Sequence, residues 1–492
     1  MRFTHLASAC LLTGVFAFLV FVALPAIRTS EPSNRDRFRA MDRRLLALAA
    51  VTLAVVLGTG LCDLVRQAFV ATRGGVAGGL ALQTVASLLA ETRYGDVWLV
   101  RHALLVLLAA LLALRPREDD LWDWVGLRCA GLVLATTSLA AAAASGHAAS
   151  APGPATRAIA ADTLHLVAAG VWAGALVPLV LFLRWIRTRG SDVAWVKVGA
   201  VAVRRFSTLG LISVTVMIAS GGYTAITQVE RVPALLGTAY GHWLLVKLAL
   251  FVAVVAVAFM NRARVRRLLE TTAAPGGDER EAPVLFSRLG SFVVVEALLV
   301  AGILGAVAVL GLTTPARHDP VDWPLPFRLS WETTNDLPGV RARVIVGAAL
   351  GMFGLLASLV TAGVSHRWWR PALVAGAVTV LLGLAIALPP LSLDAYPTTY
   401  VRPAVPYTAA SIVRGHALYR EHCAGCHGAS GAGDGITPRP RTLGSEKRSS
   451  VERSSVSRTL TGRRIADHTA GDIFWWLTSG VRGSSMPAFG DR

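Results

Sequence analysis

The stretch LGSFVVVEALLVAGILGAVAVLGL, residues 289–312, decides the fold class of this chain. Glu296 is its one ionisable side chain, and nearly all the other residues are apolar or glycine. A helix of about 20 predominantly apolar residues is long enough to cross the hydrocarbon core of a bilayer. The stretch therefore predicts a transmembrane helix with a single carboxyl group near its middle.

Similar apolar stretches recur along most of the chain. The composition agrees, because 54% of the 492 residues are hydrophobic and 16% are charged. Such a chain is too apolar for a soluble globular protein and is typical of a multi-pass membrane protein. We therefore interpret the net charge of +18 through membrane topology and predict no nucleic-acid partner. The other nine predicted spans are 6–27, 45–64, 97–114, 125–145, 159–183, 207–227, 243–260, 344–363 and 372–389.

A second motif lies near the C-terminal end, at Cys423-Ala424-Gly425-Cys426-His427-Gly428. A C-x-x-C-H run is typical of c-type haem attachment, in which the two thiols form thioether bonds to the porphyrin and the histidine binds the iron. The alternatives are a reduced or disulfide-bonded C-x-x-C, or half of a zinc site. The sequence holds no second C-x-x-C to complete a four-ligand zinc site. We therefore predict covalent haem c on Cys423 and Cys426, with His427 as the proximal ligand.

The second axial ligand of this haem is predicted to be Met486. Methionine opposite histidine is usual in cytochromes c and raises the reduction potential. Met486 lies in a loop, is followed by proline, and is the one methionine of the C-terminal region. His468 and His416 are the rival ligands, whereas His422 lies too close to the motif to reach the opposite face of the ring.

The haem motif also predicts the orientation of the chain. Haem c is attached outside the bacterial cytoplasmic membrane, so the C-terminus is expected there, and ten spans then bring the N-terminus to the same periplasmic side. Lysine and arginine number 23 in the loops assigned to the cytoplasm and 11 in those assigned to the outside, which agrees with the positive-inside rule. Residues 1–27 can alternatively be a signal peptide, but only Arg2 precedes their apolar run and six arginines follow it, which favours an uncleaved first span.

These signals together predict an all-α protein. Its membrane part is a polytopic bundle of about ten transmembrane helices, and a small α-helical haem domain follows. The predicted divisions are an eight-helix membrane domain at 1–312, an external loop at 313–343, a two-helix membrane hairpin at 344–390, a Pro-containing tether at 391–407 and the haem domain at 408–492.

The haem domain resembles a class I cytochrome c. The resemblance covers residues 408–489 and is carried by CAGCHG, GAGDG, HTAGDIFWW and SSMPAF in that order. It implies a small helical electron-transfer domain. That family normally adds a final helix that packs on the first, whereas this sequence ends at Arg492, so the resemblance leaves open whether the domain lacks its last helix and whether the chain is truncated.

Five histidines of the first eight spans lie toward the external face on this topology. Ionisable residues within a membrane are costly and usually functional, and imidazole suits Cu, Zn, Fe and Ni. The alternative is that each imidazole hydrogen-bonds lipid headgroups or water at the interface. The five are His5, His102, His147, His165 and His242.

The strongest metal candidates among them are His147 and His165. They flank a short external turn, so their helices are antiparallel neighbours and a shared site is geometrically plausible. Asp162 lies three residues before His165 and shares its helix face, where a carboxylate can orient the imidazole. His102, His242 and His5 are the secondary metal candidates. Glu296 is predicted to be a proton-relay, cation-path or buried hydrogen-bonding residue.

The membrane part resembles the copper resistance D (CopD) family. The resemblance covers about residues 1–317 and implies a bacterial inner-membrane protein that handles copper, in uptake or tolerance. Copper at His147 and His165 is our hypothesis within that family, and the six scattered methionines favour capture by histidine over a methionine ladder. The matching pieces are Arg93-Tyr94-Gly95, Trp98, Arg101, Ser145-Gly146-His147-Ala148, Asp162-Thr163-Leu164-His165, Val171-Trp172-Ala173-Gly174, Arg205-Phe206-Ser207, Tyr240-Gly241-His242, Lys247, Asn261-Arg262, Glu296 and Thr314-Pro315-Ala316-Arg317.

Three functional interpretations follow. The first is a copper-handling membrane protein whose periplasmic haem c transfers electrons, with the lipid bilayer, copper ions or a periplasmic copper carrier, and a periplasmic electron donor or acceptor as partners. The alternative is a respiratory quinol-to-cytochrome subunit in which His147, His165 and His102 supply ligands to haem b. The third is a scaffold that carries a cytochrome. No nucleophile triad, phosphate loop or catalytic carboxylate pair stands out, which favours a transport or electron-transfer protein over a classical enzyme.

Overall fold

The structure is a computed structural model, and helices account for nearly all of its regular elements. This confirms the all-α prediction, because the strands in the described part are two segments of three residues each. The residues that the structure describes are 1–28, 35–72, 82–114, 121–145, 155–187, 193–229, 232–273, 281–364, 369–435, 459–461, 465, 467–481 and 484–490.

Ten helices in the described residues are long and apolar enough to cross a membrane, as the sequence predicts. They belong to two compact units, Met1–Asp319 with eight of them and Pro320–Arg492 with two. The ten run Arg2–Ile27, Phe38–Ala71, Arg93–Ala113, Asp123–Ala144, Thr156–Arg187, Trp195–Val229, Ala239–Arg262, Phe286–Leu310, Val340–Ser358 and Pro371–Leu391.

The first of these helices forms the centre of its unit. It comprises α1 (Arg2–Ala17), a π-helical turn (Phe18–Ala23) and α2 (Leu24–Ile27), and much of its middle part is buried. A helix that is apolar all round is expected at the core of a bundle. Several other helices of the unit pack against it. The helices that follow it in the unit are α3 (Arg35–Ala71), α4 (Leu82–Glu91), α5 (Arg93–Ala113), α6 (Leu121–Ala141), α7 (Ala155–Ala173), α8 (Leu176–Arg187), α9 (Val193–Val229), α10 (Pro233–Gly237), α11 (Ala239–Ala273) and α12 (Glu281–Leu310), with 3₁₀ turns at Ala142–Ser145 and Ala316–His318.

Glycine allows α1 to approach the α7–α8 junction at backbone distance. A Cβ added to Gly14 would overlap the backbone of Gly174, and one added to Gly174 would overlap the carbonyl oxygen of Cys10. Small residues at such contacts are how membrane helices gain close van der Waals packing. The contact holds the central helix against the segment that carries His165 and Trp172.

A buried ion pair joins α3 to α6. Arg128 donates to Asp42 over 2.7 Å, and the Trp124 indole donates to the same carboxylate over 3.2 Å. The guanidinium also lies over the Trp124 ring, 5.1 Å from its centroid. The charges of both partners are therefore satisfied within the bundle, as buried charges require.

The second unit begins with a membrane hairpin and its flanks. Helices α14 (Val340–Val364) and α15 (Trp369–Ala387) pack closely, since a Cβ on Gly347 would overlap the Gly383 carbonyl. Strand β1 (Phe327–Leu329) pairs antiparallel with β2 (Ser392–Asp394), with Arg328 opposite Leu393. The elements in chain order are β1 (Phe327–Leu329), α13 (Trp331–Thr334), α14 (Val340–Val364), α15 (Trp369–Ala387), a 3₁₀ turn (Pro389–Leu391), β2 (Ser392–Asp394), α16 (Ala409–His422), α17 (Ala424–His427) and α18 (Ala470–Ser479).

Residues 392–400 make contacts that a tether at 391–407 does not predict. The Tyr396 ring stacks on Trp475 of α18 with 5.7 Å between centroids, and the Thr398 hydroxyl donates to the Gly471 carbonyl over 2.7 Å. An aromatic residue and two threonines therefore fasten this segment to the last helix, ahead of the prolines at 403 and 406. The predicted domain boundaries themselves stay a prediction.

Candidate functional site

The haem-attachment motif is a tight helical turn at the end of α16. Cys423 ends α16, and its carbonyl accepts hydrogen bonds from the backbone N–H of Cys426 over 3.1 Å and of His427 over 2.9 Å. Gly428, with a φ of +80°, then ends the turn in a conformation that favours glycine. The local chain thus brings two thiols and an imidazole into one helical turn.

The donor set and its surroundings fit a covalently bound haem. Both cysteines are free thiols and half-buried. Apolar side chains stand exposed on the helices of this region, with Ile412 49% exposed, Leu418 51% and Phe474 55%. A porphyrin needs apolar cover to exclude water and hold its potential. These exposed side chains are of the kind that such a group would cover.

Burial, and next the neighbouring Cys426, raise the pKa of the Cys423 thiol above its ordinary value. The thiol is therefore protonated at neutral pH.

The loop that carries Met486 is fastened to α18. The backbone N–H of Phe489 donates to the Leu477 carbonyl over 2.8 Å, and that of Met486 donates to the Ser484 hydroxyl over 3.2 Å. Of the rival ligands, His468 lies 3.4 Å from the Asp472 carboxylate and packs against Trp476. His468 is thus engaged elsewhere, and Met486 stays our prediction for the sixth ligand.

Asp472 connects this helix to the flanks of the membrane hairpin. Its carboxylate accepts from Arg328 over 2.7 Å and from the Thr399 hydroxyl over 2.6 Å, and the residue is fully buried. Burial alone would raise the pKa of Asp472, but hydrogen bonds from His468 and Thr399 and the charge of Arg328 together lower it. Asp472 is therefore ionised near neutral pH. Sequence analysis missed this pair because Arg328 lies 144 residues away.

In the membrane part, the structure brings His165 together with groups from three helices. His165 Nδ1 on α7 lies 3.3 Å from the Ser220 hydroxyl on α9, and the ring packs against the backbone of Gly221. Asp162 lies one turn before His165, and Lys247 on α11 is close enough to interact electrostatically with both. Sequence analysis did not predict that Lys247 lies near His165.

His147 lies outside the described residues, so its pairing with His165 stays a prediction. His242 is exposed, and its Nε2 lies 2.7 Å from the Leu236 carbonyl of the preceding helix α10. That hydrogen bond joins the start of α11 to α10 and occupies Nε2 of the imidazole. Within the described part of the chain, no group of three or more His, Cys, Asp or Glu side chains is arranged to hold a metal.

His5 and His102 belong to a separate polar cluster. His5 Nδ1 lies 2.8 Å from the Thr59 hydroxyl, and Arg101 donates to its Nε2 over 2.9 Å. His102 Nδ1 lies 2.8 Å from the Trp98 carbonyl, and its ring stacks on the Trp98 indole at 3.7 Å. Both nitrogens of His5 and one face of the His102 ring are therefore occupied.

Glu296 is buried in the interior of the unit Met1–Asp319. It is 3% exposed and accepts a hydrogen bond from the Asn261 amide. The two residues lie on facing helices, α12 and α11. The sequence identified Glu296 as a costly buried carboxyl but did not predict its partner.

Three family models match this chain. Residues 1–158 match the model described as Copper resistance protein D-like, N-terminal domain, and residues 200–310 match Copper resistance protein D. Residues 410–492 match Cytochrome C oxidase, cbb3-type, subunit III. The haem-binding region and the membrane bundle thus match separate families, and none of these matches supports a haem b in the bundle.

Curated relatives match the membrane part. The chain is 31% identical over 233 residues to Copper resistance protein D of Pseudomonas syringae pv. tomato, which covers 46% of this chain and 70% of that protein. It is 33% identical over 232 residues to Copper transport protein CutJ of Bacillus subtilis (strain 168), but spans only 40% of its length. It is 26% identical over 272 residues to Inner membrane protein YebZ of Escherichia coli (strain K12), spanning 82% of it. No solved structure matches.

Proposed function

Because this chain belongs to the copper resistance protein D family and carries a c-type cytochrome domain, we propose that it captures copper at the periplasmic face of the bacterial inner membrane and transfers electrons on that side. The observation that carries the proposal is that Asp162 and His165 lie one turn apart on α7 and that Lys247 of α11 interacts electrostatically with both. The membrane domain handles copper in uptake or tolerance, and the haem domain exchanges electrons with a periplasmic donor or acceptor.

The orientation is part of the proposal. Both termini lie in the periplasm, as the haem motif and the excess of lysine and arginine in the opposite loops support. On this orientation His165 and Asp162 lie in the outer half of α7. Copper, as a free ion or from a periplasmic carrier, reaches them without crossing the bilayer.

Histidine and carboxylate are suitable ligands for Cu(II). Because Nδ1 of His165 faces Ser220, its Nε2 is the atom that binds copper. Asp162, one turn away, supplies an oxygen ligand or orients the imidazole, and His147 completes the site from the neighbouring helix. The ammonium group of Lys247 competes with the metal for the same two groups. Copper entry must therefore displace it or remove its proton.

Cys423 and Cys426 would hold haem c covalently, with His427 and Met486 as axial ligands. When bound, this group supplies one-electron exchange at a raised potential. The chain contributes the apolar cover from α16 and α18 that excludes water. Asp472 keeps α18 in place through its ion pair with Arg328.

Metal analysis with optical spectra of the purified full-length protein tests the proposal. The wild type is expected to bind copper and to show a c-type spectrum, and Asp162→Asn/His165→Ala is expected to lose copper but keep haem c. His242→Ala is the matched control, because its imidazole is hydrogen-bonded to the neighbouring helix α10. Unchanged copper content in the double variant would rule out this site, and a b-type band would favour the respiratory alternative.

A further inference from the structure

A cavity of about 140 Å³ lies among α7, α8, α9, α11 and α12, apart from the His165 group. Its walls are mostly valine, leucine, phenylalanine and alanine side chains. Its polar groups are few, and Glu296 and Asn261 are the pair that contact each other. Trp172, two turns beyond His165 on α7, is part of the wall.

Glu296 has an amide partner and no ion pair within the described residues. Asn261 donates to one carboxyl oxygen, and Arg262, which also lines the cavity, donates instead to the Ser207 hydroxyl over 3.0 Å. Taking an unpaired carboxylate out of water is costly, and such groups become neutral by binding a proton. We therefore expect the Glu296 carboxyl group to carry a proton, and so to be uncharged, in the resting protein.

The chemistry of the cavity favours a proton over copper. One carboxyl group and one amide are hard ligands, and softer or imidazole ligands suit copper better. The other described residues in the wall are apolar, apart from Ser207 and Arg262. The wall includes Trp172 from α7, Leu179 from α8 and Ser207 from α9, and none of these side chains titrates near neutral pH. The charged neighbour of Glu296 in the wall is Arg262 of α11.

We infer that Glu296 is a proton-exchange site buried in the interior of the helix bundle. A proton taken from water binds the carboxylate to give the neutral acid, and it returns to water when it leaves, while the Asn261 amide stabilises the resulting carboxylate. Copper binding at His165 is coupled to this exchange through α7, which carries both His165 and the cavity-lining Trp172. The coupling rests on the proposed copper function, but the protonation of Glu296 does not.

Infrared difference spectroscopy on the copper-free, full-length protein tests the protonation directly. The wild type is expected to show the carbonyl stretch of a buried protonated acid, which Glu296→Gln removes. Glu91→Gln, an exposed position at the end of α4, is the matched control and keeps the band. Asn261→Leu keeps the band but moves its disappearance to higher pH, since the carboxylate has lost its donor. An unchanged band in Glu296→Gln would overturn the inference.

Copper-driven proton movement is measured in vesicles that contain the full-length protein and an entrapped pH dye, with added copper as the probe. Glu296→Gln is expected to abolish the pH change while copper bound per protein stays equal to that of the wild type. A pH change that survives in this variant would overturn the coupling. Suppose that Asp162→Asn/His165→Ala kept its copper while the infrared band of Glu296 still titrated. The proposed copper site would then be wrong, whereas the inference that Glu296 exchanges protons would be unaffected.

Discussion

Lys247 brings a positive charge to the two groups proposed to bind copper. It lies on α11, whereas Asp162 and His165 lie on α7, and it interacts electrostatically with each of them. A fixed ammonium beside a cation site lowers the affinity of that site for a metal. We therefore expect the Lys247 ammonium to make copper capture reversible, because a site without a competing charge would hold copper more tightly.

Lys247→Met is expected to raise the affinity for copper about tenfold, equivalent to about 1.4 kcal/mol, because the competing charge is gone. Equilibrium copper binding to the purified protein measures this. Lys197→Met, at an exposed position on α9, is the control and should leave the affinity unchanged. An equal or lower affinity in Lys247→Met would show that the ammonium does not compete with copper.

At Asp472 a single buried carboxylate satisfies three partners. Breaking a buried pair by removing one partner costs about 3–5 kcal/mol, because a charge is left uncompensated. Asp472→Asn is therefore expected to lower the melting temperature of the haem domain, followed through its optical absorbance. Asp336→Asn is the control: its pair with Arg341 is exposed, and such pairs contribute about 0–1 kcal/mol.

The pH dependence of this pair has a defined sign. The pKa of Asp472 is lower in the folded state than in the unfolded chain, so its contribution to stability is fully present above the ordinary aspartate pKa of about 3.9. That contribution is lost as the pH falls through the lower, folded-state pKa. The stability difference between wild type and Asp472→Asn should therefore shrink in acid; a constant difference would argue against an ionised Asp472.

At the scale of elements, the close contact between α1 and the α7–α8 junction positions the helix that carries His165. Gly14→Leu or Gly174→Leu inserts a side chain where two backbones touch. Overpacking of this kind costs about 1–3 kcal/mol or more. Both variants should lower the thermal stability of the detergent-solubilised protein and weaken copper binding.

Gly58→Leu is the matched control for these substitutions, because a Cβ added at Gly58 meets no atom within 4 Å. Gly58→Leu adds the same side chain to α3 without overlapping a neighbouring backbone. Equal stability of Gly14→Leu and Gly58→Leu would contradict the assignment of α1 to a close-packed centre.

Sequence alone predicted the elements because apolar length is a local property. Each of the ten helices could be predicted from its own run of residues, and the turn around Cys423 from six consecutive positions. The partners of the site residues could not. Lys247 approaches His165, and Arg328 approaches Asp472, only because tertiary packing brings distant segments together. The contacts of Tyr396 and Thr398 with α18 depend on tertiary packing in the same way.

At the scale of the whole molecule, a membrane part of the copper resistance D family and a cytochrome-type domain share one chain. The unit Met1–Asp319 carries the histidine and carboxylate groups proposed for copper, and the unit Pro320–Arg492 carries the haem motif. Such a fusion is useful if copper changes its redox state at the face where it is captured. Copper capture and electron exchange must then occur on the same side of the membrane, which is the central claim.

A reporter enzyme fused after Arg492, active only in the periplasm, tests that claim most directly. The same reporter is also fused within the loop between α11 and α12, which the proposed orientation assigns to the cytoplasm. We expect activity from the C-terminal fusion and none from the loop fusion, in cells that accumulate both proteins equally. The reverse pattern would put the haem motif and the His165 group in the cytoplasmic half, and would contradict the account.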